Sequence, residues 1–351
     1  MKNPHIVRLF LGLALSLSSS TAAQTANESE IRVSNIRQVF HNGEHNAFTD
    51  LIRFKGMFYL SFRSCPDGHG VNASASTIVL QSPDGNIWTK VHQFAVLQRD
   101  TRDPHFLAFK NRLFIYTGTW YDDPGDQFDL NQHLGYAVWS ENGTDWSAPT
   151  ALEGTFGHYI WKAAAFGDKA YLCGRRKTGF AVGPKGEGKA VESAMLESDD
   201  GLIWKHRAFF QEEAGDETAF LFEPDGSIIA IGRRGSDRAQ LCRSKPPYTH
   251  WERTELDRYI GGPLLTRWGT NLVVGGRKGT ASRGPRTSLY WLQEDTLHEF
   301  TELPSSGDNS YPGFVALTPN KALISWYSSH EKDIKGNTIT AIYLADLHRL
   351  K

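Results

Sequence analysis

The sequence predicts an all-β protein: a six-bladed β-propeller with four-stranded antiparallel blades. Three observations predict it. No long segment carries apolar residues at helical spacing; the chain runs instead in short stretches rich in Val, Ile, Phe, Tyr and Trp, broken by Gly, Asp and Asn. A unit of apolar strand, turn and apolar strand recurs six times along the chain. A Ser-x-Asp-Gly-x-x-Trp turn recurs in step with that unit.

Taken in order, the first element is a leader. Lys2 and Arg8 precede an apolar run from Leu9 to Leu17, followed by a Ser-rich stretch ending Thr21-Ala22-Ala23. That layout predicts a secretory signal peptide over residues 1–23. The run is too short to span a bilayer, so no stable membrane insertion is expected after cleavage. Residues 24–351 are then expected to form a single propeller domain, secreted or periplasmic. The stretch Ile31 to Phe40 is expected to supply the outermost strand of the last blade and so close the ring.

The six units begin at Ala47, Asp103, Tyr159, Glu217, Gly261 and Ser310, separated by 56, 56, 58, 44 and 49 residues. That spacing suits four-stranded blades joined by loops of variable length. The turn reads Ser82-Pro83-Asp84-Gly85-Asn86-Ile87-Trp88, Ser140 to Trp146 and Ser198 to Trp204, with a decayed copy from Ser244 to Trp251. Asp-Gly or Asn-Gly supplies the positive φ of a tight hairpin, Ser can bond turn amides, and Trp covers the turn. These turns are expected at the blade periphery, away from any active site. The segment Asn337 to His348 supplies the third strand of the last blade.

Composition narrows the function classes. Lys and Arg number 38 against 39 Asp and Glu, which removes the electrostatic case for general nucleic-acid binding. Cys65, Cys173 and Cys242 are too few and too scattered for a disulfide scaffold or a zinc site. No cofactor is implied and no metal ligands stand out.

In a propeller the chemistry gathers where the innermost strands begin and where the second strands end. His45, Arg102, Asp103, His105, Trp161, Asp216, Glu217 and Tyr311 fall at the first place; Arg63, Arg175, Arg176, Arg233, Arg234, Arg277 and His330 fall at the second. Converging guanidinium groups are costly to desolvate unless paired, and each presents a fork suited to a carboxylate or phosphate. Asp103, Asp216 and Glu217 are the only carboxylates expected at that level, so a surplus of positive charge points to an anionic ligand. Trp161 is a candidate sugar-stacking platform.

The repeated turns resemble the Asp boxes of the sialidase superfamily, whose fold is a six-bladed propeller, and the resemblance covers nearly all of residues 24–351. It implies a glycoside hydrolase acting on the terminal acidic sugar of a glycan. Arg233 and Arg277 would clamp the substrate carboxylate, and Glu217 would polarise Tyr311 as nucleophile. The family also has an Arg-Ile-Pro motif opening its first blade and an Asp ending that blade's second strand. Here those places read His45-Asn46-Ala47-Phe48 and Ser61-Phe62-Arg63. Arg63 or Arg102 could restore the third guanidinium; His45, Asp50, Asp103 or His105 could restore the proton donor. Arg175, Trp161, His105 and His330 complete the expected binding set. Two other readings remain open: a polysaccharide lyase in which His45 or Tyr311 abstracts the proton beside a uronate carboxylate, and a lectin-like propeller that only binds.

Overall fold

Residues 113–120 carry β-branched and aromatic side chains without the alternation of a half-exposed strand, and all of them are buried. A strand apolar on both faces must be covered on both, which sheets stacked on one another provide. The computed structural model describes Met1 and residues 30–122, 130–181 and 190–350. Nearly all of the expected leader lies outside the described residues. Among the described residues there is no α-helix, only two single-turn 3-10 segments, and no helix long and apolar enough to cross a membrane.

The strands form antiparallel quartets in chain order. The second quartet runs Arg99–Phe109, Arg112–Tyr121, Leu134–Ser140 and Thr150–Ala151; the third runs Tyr159–Phe166, Lys169–Lys177, Val191–Ser198 and Lys205–Gln211. The fourth is Thr218–Phe222, Ile228–Arg234, Asp237–Ser244 and Trp251–Glu255. The fifth is Gly261–Trp268, Asn271–Lys278, Arg286–Gln293 and Thr296–Leu303. An eight-stranded sheet holds the remainder. One half is His45–Phe54, Met57–Cys65, Ser76–Ser82 and Thr89–Phe94; the other is Asn309–Thr318, Lys321–Lys332, Thr338–Arg349 and Ile31–Phe40. A single parallel pair, His45 with Thr340, joins the halves, and Ile31–Phe40 lies antiparallel along Thr338–Arg349. These halves are called the first and sixth quartets below.

The first strand of each quartet packs beside the first strand of the next, and the strand Asn309–Thr318 returns to His45–Phe54. This is a propeller arrangement, with the core between neighbouring sheets: Ile231 and Leu241 of the fourth pack with Val274 and Tyr290 of the fifth.

The Ser-x-Asp-Gly turns take one geometry. Ser82 Oγ accepts the Gly85 amide at 2.9 Å and Asp84 Oδ1 accepts the Asn86 amide at 2.8 Å. Ser198 and Asp200 repeat this at 2.9 and 2.8 Å, and Ser140 with Asn142 at 2.7 and 2.9 Å. The glycines are required twice over. Gly143 has φ +84°, and a Cβ there would lie 1.8 Å from the Tyr59 hydroxyl of the preceding quartet. Trp204 is 2% exposed, whereas Trp88 and Trp146 are only partly buried. The turns follow Ser82, Ser140 and Ser198, which pair with the starts of the second strands. They therefore lie at the opposite end of each sheet from the first-strand starts. All three cysteines are buried and unpaired.

Candidate functional site

One backbone device recurs around the axis. Near its start, the first strand slips register between Ala47 and Asp50, Arg102 and His105, Ile160 and Ala163, Gly261 and Leu264, and Ser310 and Gly313. In four of these bulges the residue after the last paired one has positive φ: Phe48 (64°), Asp103 (50°), Gly262 (58°) and Tyr311 (52°). Such a conformation is costly for Phe, Asp or Tyr, and bulges of this kind re-aim a side chain. The bulges bring these side chains close together: the Phe48 and Tyr311 ring centroids lie 4.9 Å apart.

Around Tyr311 the polar groups form one chain of contacts. Its hydroxyl donates to Glu217 Oε1 at 2.7 Å. Glu217 Oε2 accepts Arg233 Nη1 at 2.9 Å and the Gly262 amide at 3.1 Å. Arg277 lies with Cζ 5.6 Å from the Tyr311 ring centroid. It donates to the Asn309 carbonyl, to Asp308 Oδ1 at 3.1 Å and to Tyr327 at 2.9 Å. Arg175 donates to Asp216 Oδ1 at 2.6 Å and lies over the Tyr159 ring. Nη2 of Arg233, Nη1 of Arg277 and Nη2 of Arg175 have no hydrogen-bond partner among the described residues. Three guanidinium groups thus keep donors free for an anion.

The protonation states follow from burial and charge. Burial, then the Glu217 charge, pushes the Tyr311 phenol well above its ordinary value, so it is neutral near pH 7. Burial pushes Asp103 up to about 8, against the opposing charge of Arg102, so this carboxyl is largely protonated near pH 7. Tyr159 donates its hydroxyl to Asp103 Oδ2, and Asp103 Oδ1 has no partner. The Asp308 carboxyl is raised by burial, but hydrogen bonds from His45 and His69 and the Arg277 charge outweigh this and hold it below the usual range. His45 Nε2 and His69 Nδ1 meet the same Asp308 oxygen at 2.9 and 2.7 Å.

Several expected residues are placed otherwise. Arg63 is fully buried and bidentate to Asp100, at 2.8 Å from Nε and 2.8 Å from Nη2, and its remaining donors reach the Gly68 and Gly70 carbonyls. With its side chain 0% exposed, it is out of a substrate's reach. Arg102 uses Nη2 on Asp100 at 3.3 Å and on the His69 carbonyl at 2.6 Å. Its Nη1 has no partner among the described residues and its Cζ lies 5.3 Å from the Phe48 ring beside Tyr311, so it stays with the candidate arginines. His105 is buried against Trp161, 3.7 Å from Asp50 and without a hydrogen bond; burial lowers it to about 4, so it is neutral. Trp161 is buried between His105 and Tyr311, a packing role rather than an open sugar platform. His330 contacts Glu331 and Tyr343, not the Tyr311 group. The expectation that Asp103, Asp216 and Glu217 are the only carboxylates at this level is corrected by Asp100 and Asp308, which neutralise Arg63 and Arg277.

Asp100, Asp308, His69 and Tyr259, whose ring centroid lies 5.7 Å from Arg233 Cζ, were not anticipated. Part of the signal is in the repeat: His45, Asp100, Tyr259 and Asp308 each stand three positions before a bulge residue of positive φ. His69 lies in loop 66–75, which has no periodicity to read. A cavity of about 570 Å3 lined by Pro246, Pro247 and Trp251 lies elsewhere, on the outer part of the fourth quartet, and shares no residue with the Tyr311 group.

The sequence matches no protein-family model and no curated protein. Solved structures do resemble the fold. A protein of unknown function from Dyadobacter fermentans superposes with TM-score 0.74 at 18% identity, over 91% of this chain and 99% of that one. Trypanosoma rangeli sialidase bound to the inhibitor DANA gives 0.64 at 14% identity, over 86% of this chain. The endosialidase of phage phi92 gives 0.65 at 10%, over 90% of this chain. This chain spans 55% of the trypanosomal enzyme and 69% of the phage enzyme. At these identities the likeness is one of fold.

Proposed function

We propose that this chain is an exported, sialidase-like glycoside hydrolase on a six-bladed propeller, acting on a terminal acidic sugar. The observation that carries the reading is the 2.7 Å contact of Tyr311 Oη with Glu217 Oε1, flanked by arginines with free donors. A phenol near pH 7 is a poor nucleophile without an adjacent base, and here the base is already hydrogen-bonded. The substrate carboxylate takes the open Nη donors of Arg233 and Arg277, with Arg175 beside them. Tyr311 Oη then bonds to the anomeric carbon as its proton passes to Glu217. The leaving oxygen departs with the proton of Asp103, the carboxyl that burial keeps protonated. In the second half Asp103 takes a proton from water, whose oxygen displaces Tyr311, and Glu217 returns its proton to the phenol. A neutral phenol in place of a carboxylate nucleophile lessens repulsion with the substrate's own negative charge. Export rests on the N-terminal sequence pattern alone.

The test incubates the protein with sialylated, uronate-capped and ulvan-type glycans and weighs the products. The reading expects a gain of one water per cut. Tyr311→Phe should lower turnover by roughly 1,000-fold or more while acidic-sugar binding survives, since only the reacting oxygen is lost. An ultraviolet-absorbing unsaturated uronate would instead identify elimination. No product from any substrate would leave a binding propeller and overturn the hydrolase reading.

A further inference from the structure

Beside the Tyr311 group, and outside the reaction proposed for it, two imidazoles from different parts of the first quartet aim at one oxygen. His45 opens the first strand of that quartet, His69 comes from loop 66–75, and Asp308 immediately precedes the first strand of the sixth. One ligand atom from each, His45 Nε2, His69 Nδ1 and a carboxylate oxygen of Asp308, lies within 4.8 Å of the others. We propose that His45, His69 and Asp308 form a binding site for a divalent transition-metal ion of the zinc class. Two imidazole nitrogens and one carboxylate are a donor set that suits such an ion, with a fourth position left for water or a ligand.

Two features of the surroundings favour a built site over a chance contact. The first is support for the carboxylate. Asp308 Oδ2 faces both imidazoles, while Oδ1 is held by Tyr327 at 2.9 Å and Arg277 at 3.1 Å. That is the outer-shell orientation metal-binding carboxylates receive. The second is support for His69, whose side chain is 55% exposed yet whose backbone is clamped. Arg63 donates to the carbonyls of Gly68 and Gly70 and Arg102 to that of His69, and both arginines are anchored on buried Asp100. A buried ion-pair network is a costly way to hold a loop that only hydrates an imidazole. Exposure of His69 also gives an ion its way in. The nitrogen–oxygen separations of 2.7 and 2.9 Å are those of hydrogen bonds; ligand atoms about 2.0–2.2 Å from a tetrahedral ion lie about 3.3–3.6 Å apart, so each imidazole must draw back from Asp308 by about 0.4–0.9 Å to admit one. Arg277 opposes a cation here, so the bound ion favours an anionic fourth ligand.

The experiment titrates untagged, chelator-treated protein with Zn2+ by calorimetry, and with Co2+ by visible absorption, at constant pH. One equivalent should bind, with the intense d–d bands of a tetrahedral cobalt centre. His69→Ala, at an exposed position that leaves folding intact, should weaken binding at least about 100-fold, more than the loss of an outer-shell partner. His45→Ala should do the same, and His250→Ala, a surface histidine elsewhere, should match the wild type. Binding weaker than about 100 µM, or binding unchanged in His69→Ala, would overturn the proposal and leave a hydrogen-bonded His–Asp–His cluster.

Discussion

Gly262→Ala tests the Tyr311 geometry without touching any reacting group. Gly262 adopts φ +58°, and a Cβ there would lie 2.6 Å from Tyr311 Cδ2 and 2.8 Å from Cε2 and Cγ. Carbon atoms in comfortable contact are about 3.5–4.0 Å apart, so ring or backbone must give by about 1 Å. The ring cannot give freely, because Phe48, Trp161 and Tyr327 also pack on it. The backbone cannot give freely either, because the Gly262 amide holds Glu217. Overpacking of this kind costs about 1–3 kcal/mol, and a left-handed alanine adds about 1–2 kcal/mol. Stability should therefore fall by about 2–5 kcal/mol in a urea titration. The displaced phenol should lose its place on Glu217, lowering turnover of a sialoside such as the 4-methylumbelliferyl derivative by about 100-fold. A variant within about 0.5 kcal/mol of the wild type, the range of an ordinary surface change, would refute the packing argument. Full turnover in a destabilised variant would instead separate Tyr311 from the chemistry.

The remaining predictions concern burial and charge. Burial raises Asp103 to about 8, so the folded protein keeps a proton that the unfolded chain releases near pH 4. That contribution to stability is whole below about pH 4 and is lost as pH rises to about 8, at up to about 1.4 kcal/mol per unit. Asp103→Asn should remove the slope, so parallel stability curves for the two proteins across this window would contradict it. Asp100→Asn leaves the buried Arg63 charge without its partner and should cost about 3–5 kcal/mol in denaturant, whereas a loss under 1 kcal/mol, the scale of a surface pair, would count against it. Trp204→Ala should cost about 3–5 kcal/mol and Trp88→Ala less, since only the former is fully covered; equal losses would show that burial at the turn is not what sets the cost.

The fold was legible because the propeller writes its repeat into the chain. Unit starts read at Ala47, Asp103, Tyr159, Glu217, Gly261 and Ser310 fall within four residues of the observed first strands. Tyr311, Glu217, Arg233 and Arg277 occupy repeat positions at the same depth, and the structure brings them together. Arg63 shares that register, yet its partner Asp100 comes from the neighbouring quartet, and pairing between sheets leaves no local spacing to read. Trp161 shows the same blindness: its position in the strand was evident, but not that His105 and Tyr311 close over it. His69 was invisible because its loop is held by carbonyl contacts, which any sequence can make.

The pairing of Ile31–Phe40 with Thr338–Arg349 has a consequence for when this protein becomes competent. The two strands are nearly the whole described chain apart, so the circle cannot shut until residues near 349 have emerged. Contacts so remote in sequence form late and slowly. His45 stands on one side of that seam and Asp308 and Tyr311 on the other, so their mutual contacts depend on its closing. A truncated or half-folded molecule can hold several complete sheets and still present no assembled centre. The His45–Asp308 contact and the packing of Phe48 on Tyr311 are therefore among the last to form.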